Sequence, residues 1–232
     1  VDIDQDIVNE VNDSQPPFPE PELADRLRAG EDNLRATTDV AEAIPGTDIS
    51  FVFVNTYRPG SSGYSLASVE SAVRSVGRCL SGQSGDHLMV LRSTVMPGDT
   101  RTKVVDWMES ESGRNVGEDV HLCYWPELTA LGDIVRSMES PPFWLAGEHT
   151  PVAGDLLETF IKSWQGNNAP LVRTDVASAE VAKMAINTYV AQKMSFVNGL
   201  SRICEGVGAD VDEVTSAMGH DPRINVNYFT AG

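Results

Sequence analysis

The sequence predicts an α/β protein in which a mostly parallel β-sheet is followed by a separate helical domain. Through residue 174, short apolar runs rich in β-branched and aromatic residues alternate with segments of helical period. That alternation is typical of a parallel sheet with helices on both faces. From residue 176 to about 205 the chain then reads as one long helix. We therefore divide the chain into a sheet domain, residues 1–174, and a helical domain, residues 175–232.

The expected strands are short and apolar. They are Val1–Ile3, Asn33–Thr37, Ile49–Val54, His87–Arg92, Val120–Tyr124, Phe143–Ala146 and Leu171–Arg173. The expected helices of ordinary length have apolar residues at three- and four-residue intervals. They are Gln5–Asn12, Glu22–Arg28, Leu66–Leu80, Thr100–Glu109, Val152–Trp164 and Val211–Met218.

The long helix predicted over 176–205 has apolar residues on several of its faces. At 1.5 Å per residue it is about 45 Å long, and such a helix is buried by more than one neighbour. A helix of this kind, joining a sheet domain to a helical one, suits a subunit interface. We therefore expect a homodimer formed through residues 176–205.

The composition is strongly acidic, with 34 acidic against 17 basic residues and a formal net charge of -17. Only four of the basic residues are lysines. A surface dense in carboxylates and poor in lysine stays hydrated in strong salt, as in halophiles, and repels itself at low salt. The charge also argues against nucleic acid and anionic membranes as partners. The acidic residues are scattered between apolar segments, so an acidic disordered tail is disfavoured.

Cysteine and histidine usage indicates neither a disulfide framework nor a metal site. Cys79, Cys123 and Cys204 are odd in number, far apart and set in apolar segments, as expected of reduced thiols in the cytoplasm. The four histidines have no mutual spacing that suits zinc. No targeting leader and no apolar run long enough to cross a bilayer is evident in the sequence.

Polar residues follow three of the predicted strands, where an open parallel sheet binds its ligand. They are Asp2, the pair Ser93-Thr94, and Glu127 after Pro126. An aspartate after the second strand of a dinucleotide fold accepts hydrogen bonds from the adenosine ribose and repels the phosphate of NADP, so Asp2 favours NAD. The alternatives are that Asp2 only begins a turn and that Thr94 belongs to a strand-to-helix turn shaped by Pro97 and Gly98.

Lys183 and Asn187 lie four residues apart on the long helix and therefore share a face. An ammonium and a carboxamide side by side can hold one oxygen, and the ammonium favours an oxygen that carries negative charge. This arrangement suggests catalysis on an alcohol or a carbonyl. The alternative is a lysine that extends to solvent beside a core asparagine.

Taken in chain order, several segments resemble the nucleotide-sugar dehydrogenases, the family of UDP-glucose and GDP-mannose 6-dehydrogenases. The resemblance covers essentially the whole chain. The matching segments are Val1-Asp2-Ile3-Asp4, Pro19-Glu20-Pro21-Glu22-Leu23, Ser93-Thr94-Val95-Met96-Pro97-Gly98, Pro126-Glu127, Ala179-Glu180 with Lys183 and Asn187, and Asp221-Pro222-Arg223-Ile224.

The resemblance implies a four-electron oxidation of the sugar C6 alcohol to a carboxylate, with two NAD and a thioester on a cysteine; UDP-glucose is the expected substrate. By position, Thr94 and Glu127 would hold the water of proton transfer, and Thr94 would also contact the cofactor. Lys183 and Asn187 would bind substrate and stabilise its oxyanion. Arg223 would reach the sugar, in this family often from the neighbouring subunit, although a turn ion pair with Asp221 is the alternative.

Two expected features of such a family member are absent from the sequence. It contains no G-x-G-x-x-G to seat a pyrophosphate on a helix N-terminus. The resemblance therefore implies an incomplete Rossmann-like domain that lacks its first βα unit. Residues 228–232 resemble the approach to the family's G-F-G-G-x-C loop, and none of the three cysteines matches its nucleophile. We expect this chain alone to be inactive.

Two local departures from the family pattern concern the site itself. Leu131 stands where a second glutamate is expected, and Asn55-Thr56-Tyr57 replaces a T-P dipeptide near the nicotinamide. Three alternatives remain open. They are a GDP-mannose or UDP-N-acetylmannosamine dehydrogenase, a non-catalytic dimerising relative, and a hydroxyacid dehydrogenase, against which the Asp221–Ile224 motif argues.

Overall fold

The computed structural model describes residues 1–57, 64–129, 132–165 and 169–224. The chain forms two compact units, Val1–Val181 and Ala182–Gly232. The first unit contains one five-stranded sheet in the order β1-β2-β3-β4-β5. The strands are β1 Ile49–Val52, β2 His87–Leu91, β3 Val120–Tyr124, β4 Trp144–Glu148 and β5 Leu171–Asp175. All neighbouring pairs are parallel except β3 and β4. The predicted mostly parallel α/β class is confirmed.

Helices precede, separate and follow these strands. They are α1 Gln5–Asn12, α2 Leu23–Gly30, α3 Val40–Ala43, α4 Ala67–Leu80, α5 Val105–Ser112, α6 Ile134–Glu139, α7 Pro151–Gln165, α8 Val176–Val207 and α9 Val211–Gly219. A π-helical turn, Thr100–Val104, leads directly into α5. None of the helices in the described ranges is both long and apolar enough for a membrane span.

Two of the three inner strands, β2 and β3, are buried along their whole length. Every residue of β2 and of β3 is buried, because a central strand in a sheet covered on both faces has no solvated side. Apolar residues of these strands pack with α7, and rings of Trp125 and Trp144 meet edge to face at 5.0 Å. The core packed around β2 and β3 therefore supports the two strands that the candidate site residues follow.

Two predicted strands are not formed in the structure. Residues 1–3 and 33–37 are linked by one backbone hydrogen bond, from Asp2 N to Thr37 O at 3.2 Å. The side chain of Asn12 takes both backbone groups of Ala36, accepting from its N–H at 2.8 Å and donating to its carbonyl at 3.0 Å. Those groups are thereby removed from any strand ladder. The prediction of two strands here was wrong.

A cluster of ion pairs fastens α7 to β4 and β5. Arg173 donates to Glu148, Asp155 and Glu158 at 2.7–2.8 Å, and these hydrogen bonds hold the pKa of Arg173 above its ordinary value. The guanidinium passes directly over Gly154, where a Cβ would overlap it. A side chain at this position would displace the Glu148 carboxylate and the Arg173 guanidinium from their present contact.

The long predicted helix is confirmed as α8, which runs from Val176 to Val207. It begins immediately after β5, and the two compact units divide within it, between Val181 and Ala182. The sequence prediction places the domain boundary slightly earlier, between residues 174 and 175.

Candidate functional site

The carboxyl ends of β2 and β3 lie side by side, because the last residues of the two strands, Leu91 and Tyr124, are register partners in a parallel ladder. The chain leaves both strands at the same edge of the sheet. Thr94 follows Leu91 by three residues, and Glu127 follows Tyr124 by three residues. The structure thus brings these two predicted residues to one edge of the first unit.

Ser93 ties the segment after β2 to the segment after β1. Its hydroxyl donates to the carbonyl of Val54 at 2.9 Å and accepts from the N–H of Val54 at 2.8 Å. A second hydroxyl, that of Thr56, donates to the carbonyl of Thr94 at 2.8 Å. Side chains continue the ladder where the backbone pairing stops. The hydroxyl of Thr94 takes no part in these bonds, and its backbone is fixed by them.

Glu180 holds the far end of the same segment. Its side chain is fully buried, and its carboxylate accepts from the N–H groups of Gly98 at 2.6 Å and Thr100 at 3.0 Å. A carboxylate suits this place because it faces the N-terminus of the helical segment that begins at Thr100. Gly98 has φ +94°, a conformation that favours glycine. The first turn of α8 is thereby locked to the loop that carries Thr94.

Glu127 is held at two oxygens. Oε2 pairs with the buried guanidinium of Arg92, and Oε1 accepts from the N–H of Thr129 at 3.0 Å. Burial alone raises the pKa of Glu127, but the charge of Arg92 and the hydrogen bonds from Thr129 outweigh it, so the pKa lies below the ordinary carboxyl value. Glu127 is therefore an ionised carboxylate at neutral pH.

Glu20 of the Glu20-Pro21 element bonds the backbone at the start of α6. The carboxylate of Glu20 accepts from the N–H groups of Gly132 at 2.9 Å and Ile134 at 2.8 Å. These groups lie at the start of α6, so Glu20 caps that helix from more than 100 residues away in sequence. Leu131, predicted to replace a second glutamate, lies outside the described residues.

Asp2 lies half-buried, at the start of the described chain. Its Oδ1 accepts from the N–H of Asp4 at 3.0 Å, which is the turn that the sequence left open as an alternative role. No hydrogen bond to Oδ2 is found among the described residues. The contact predicted between Asp2 and the ribose of NAD stays a prediction.

Three predicted residues belong to the second unit. Lys183 is buried and Asn187 is exposed, on one face of α8. Arg223 donates to Asp221 at 2.9 Å from Nε and 2.6 Å from Nη2, and this pairing lowers the pKa of Asp221. The turn ion pair left open by the sequence is formed. The Arg223 side chain is 86% exposed and keeps most of its surface toward solvent.

Sequence reasoning missed the supporting roles of Arg92, Ser93 and Glu180. The available signals were a charged residue directly after an apolar run, and a glutamate among the alanines and valines that open α8. Their partners lie 35 to 82 residues away along the chain, so the pairing itself could not be found from local pattern. Within the described ranges there is no group of three or more histidine, cysteine, aspartate or glutamate residues that could hold a metal.

Comparison with known proteins places this geometry in a family. Residues 1–165 match the NAD binding domain of the UDP-glucose/GDP-mannose dehydrogenase family, and residues 177–232 match its central domain. The match to the NAD binding domain confirms NAD as the predicted cofactor.

Individual relatives agree. The chain is 32% identical to GDP-mannose 6-dehydrogenase of Pseudomonas savastanoi pv. phaseolicola over 99% of this chain and 52% of that protein. It is 35% identical to UDP-glucose 6-dehydrogenase AglM of Haloferax volcanii over 100% of this chain and 54% of that protein. The crystal structure of a ternary complex of GDP-mannose dehydrogenase from Pseudomonas aeruginosa superposes with a TM-score of 0.92 at 30% identity. The match covers 99% of this chain and 52% of that one.

The chain thus spans about half the length of the relatives it matches. Its fold matches that of solved dehydrogenase structures. The chain belongs to the UDP-glucose/GDP-mannose dehydrogenase family.

Proposed function

We propose that the complete protein containing this chain oxidises the C6 alcohol of UDP-glucose to the carboxylate of UDP-glucuronate, with NAD as oxidant. The carrying observation is that Thr94 and Glu127 follow adjacent parallel strands at one edge of the sheet, with the backbone of Thr94 fixed and the carboxylate of Glu127 ionised. An ionised carboxylate can accept a proton from water or from a hydroxyl. Residues 1–174 would form the NAD-binding domain and residues 175–232 would belong to the helical one.

The roles of the other residues follow from their chemistry. Bound NAD would accept hydride from C6. Asp2 would hold the ribose hydroxyls of the cofactor, and Thr94 would contact it. Lys183 and Asn187 would bind the substrate and stabilise negative charge on its oxygen, because an ammonium and an amide N–H both donate. Arg223 would reach the sugar. Thr94 and Glu127 would hold the water that takes part in proton transfer and in hydrolysis of the thioester.

The substrate is tested by initial rates of NADH formation from the complete protein with UDP-glucose, GDP-mannose and UDP-N-acetylmannosamine. The 35% identity to a UDP-glucose enzyme supports UDP-glucose. GDP-mannose is the second candidate, supported by 32% identity to a GDP-mannose enzyme. The expected result is a kcat/KM at least tenfold higher for UDP-glucose. A preference for GDP-mannose would replace the substrate and keep the reaction, and no NADH with any sugar would favour a non-catalytic dimerising relative.

A homodimer through α8 is part of this proposal. Large apolar side chains of α8 are exposed to solvent in the single chain. They are Ile186, Tyr189, Met194, Phe196, Ile203 and Val207. Covering them in a partner subunit would remove a substantial apolar area from water. Light scattering after size exclusion should give twice the monomer mass, and Phe196→Asp should shift the complete protein toward monomer. A monomeric wild-type protein would contradict the dimer.

The three cysteines are free in the structure, and burial raises the pKa of the Cys123 thiol to about 12, so it is unreactive at neutral pH. Three free thiols support the proposed cytoplasmic location. Fractionation of the native cells, with the protein followed by antibody, should recover it with cytoplasmic markers; recovery outside the cytoplasm would contradict this.

A further inference from the structure

Two aromatic rings and a carboxylate contact the side chain of Arg92 at the end of β2. It is only 8% exposed. Its guanidinium carbon lies 4.3 Å from the ring centroid of Trp125 and 5.9 Å from that of Phe53, and Nη2 pairs with Oε2 of Glu127. A buried guanidinium is costly unless it is paired. The aromatic faces and the carboxylate together leave it one orientation.

The effect on Glu127 is both geometric and electrostatic. With Oε2 on Arg92 and Oε1 on the N–H of Thr129, the plane of the carboxylate is fixed at the end of β3. A neighbouring positive charge stabilises the ionised form against the burial that disfavours it. Thr129 contributes a neutral donor from the next turn of chain, whereas Arg92 contributes a full charge from another strand.

We propose that Arg92 is a positioning residue for the reaction: from the end of β2 it holds Glu127 ionised and in one orientation, so that Glu127 accepts protons. This inference rests on the proposed function, in which Glu127 holds the reacting water. A merely structural Arg92 would fasten β2 to β3 and would leave the titration of Glu127 unchanged when replaced. The two roles therefore differ in a measurable way.

The first test is a carboxyl ¹³C NMR titration of the 232-residue chain labelled at glutamate Cδ, with the Glu127 resonance assigned by its loss in Glu127→Gln. Arg92→Met should raise the pKa of Glu127 by about 1–3 units, the size of the effect of a neighbouring arginine on a carboxylate. Arg74→Met is the matched control, because Arg74 pairs instead with Glu70 and Glu111. It should leave the pKa of Glu127 unchanged. An unchanged pKa in Arg92→Met would overturn the proposal.

The second test is kinetic and uses the complete protein. In Arg92→Met the acid limb of the kcat profile should move to higher pH by the shift seen in NMR. At neutral pH kcat should fall about 10- to 100-fold, less than the 10²–10⁴-fold that a general base itself contributes. KM for the nucleotide sugar should change less than threefold. A pH profile identical to wild type would overturn the proposal.

Arg92→Lys decides the case if Arg92→Met fails to fold. Lysine keeps the charge but lacks the planar fork that stacks on Trp125. The pKa of Glu127 should then stay below its ordinary value while kcat falls; wild-type kcat would overturn the positioning role. The proposed role of Glu127 and the inference on Arg92 can fail separately. Full activity in Glu127→Gln would contradict the proposed role of Glu127. If Glu127→Gln is inactive but Arg92→Met leaves the pKa of Glu127 unchanged, only the inference on Arg92 is contradicted.

Discussion

The amino and carboxyl ends of the strands β1, β2 and β3 hold polar groups of different kinds. At the amino end, His87 donates from Nδ1 to the carbonyl of Thr47 at 3.0 Å and accepts at Nε2 from Ser50 at 2.8 Å. These are neutral groups that satisfy one another. At the carboxyl end, the buried Arg92 pairs with the half-buried carboxylate of Glu127, and the buried Glu180 accepts from backbone N–H groups. Burying charge costs free energy even when it is paired. Under the proposed function, this is the edge of the sheet at which the reaction would need fixed charge.

The largest expected effect belongs to Gly147 on β4, beside the carboxyl end of β3. A Cβ there would lie 2.7 Å from the Cβ of Ala179 and 2.8 Å from the Cα of Val176. Because the overlap includes backbone, Gly147→Ala should push the first turn of α8 off the sheet and lower the free energy of unfolding by about 3 kcal/mol. Urea unfolding followed by tryptophan fluorescence measures this. All four tryptophans lie in the first unit.

Gly30→Ala is the matched control, because a Cβ at Gly30 meets nothing within 4 Å. It should be neutral or stabilise by up to about 1 kcal/mol, as alanine does in a helix. Equal destabilisation by the two changes would mean that α8 does not seat on Gly147 as described.

Glu180→Ala should have the next largest effect. The change leaves the N–H groups of Gly98 and Thr100 buried without an acceptor, and it should lower the free energy of unfolding by about 2 kcal/mol. Glu180→Gln keeps one acceptor and should lose about half as much. Hydrogen exchange of the two amides, followed by NMR, should accelerate most in the alanine variant. Unchanged exchange would show that the carboxylate does not hold this loop.

How much of this was predictable depends on the sequence distance of the partners. The prediction Gln5–Asn12 for α1 is confirmed to the residue, because Asp4 caps it from the adjacent position. The long α8 and the buried β2 and β3 were equally visible as local patterns. The strand predicted over 33–37 is not formed, and within it a side chain 24 residues away, Asn12, takes both backbone groups of Ala36. Local pattern carries no record of such contacts.

The site shows the same division. The polar residues at strand ends were predicted because the carboxyl edge of a parallel sheet is fixed by topology. The contacts that hold these residues in place were not predicted. The acceptor for Gly98 is 82 residues away on α8, and the partner of Glu127 is 35 residues away on β2. The roles assigned to Asp2, Thr94, Glu127, Lys183, Asn187 and Arg223 remain predictions.

Ser93→Ala should have a smaller effect than the loss of Glu180. It removes the hydroxyl that serves both backbone groups of Val54, at a cost of about 1 kcal/mol. Ser163→Ala is the control, since its exposed hydroxyl bonds only within α7, and it should change the free energy of unfolding by less than about 0.5 kcal/mol. If the two serines behave alike under urea, Ser93 does not extend the ladder.

The smallest expected effect belongs to the amino end. Burial lowers the pKa of His87, and its acceptance from Ser50 requires the neutral ring. Because the folded pKa lies below the unfolded value of about 6.5, the stabilisation is complete above pH 6.5 and is lost as pH falls through the folded pKa. His87→Gln should reduce this acid-side loss between pH 7.5 and 5, measured by urea unfolding. An identical pH dependence in the variant would contradict a neutral His87.

The most direct test of the difference between the two ends is activity. In the complete protein, Thr94→Ala and Glu127→Gln at the carboxyl end should each lower kcat for NADH formation by about 10²–10⁴-fold, while His87→Gln at the amino end should stay within threefold of wild type. All three should remain folded by circular dichroism. If the carboxyl-end variants keep wild-type kcat, or His87→Gln loses as much as they do, the reaction does not take place at the edge formed by β2 and β3.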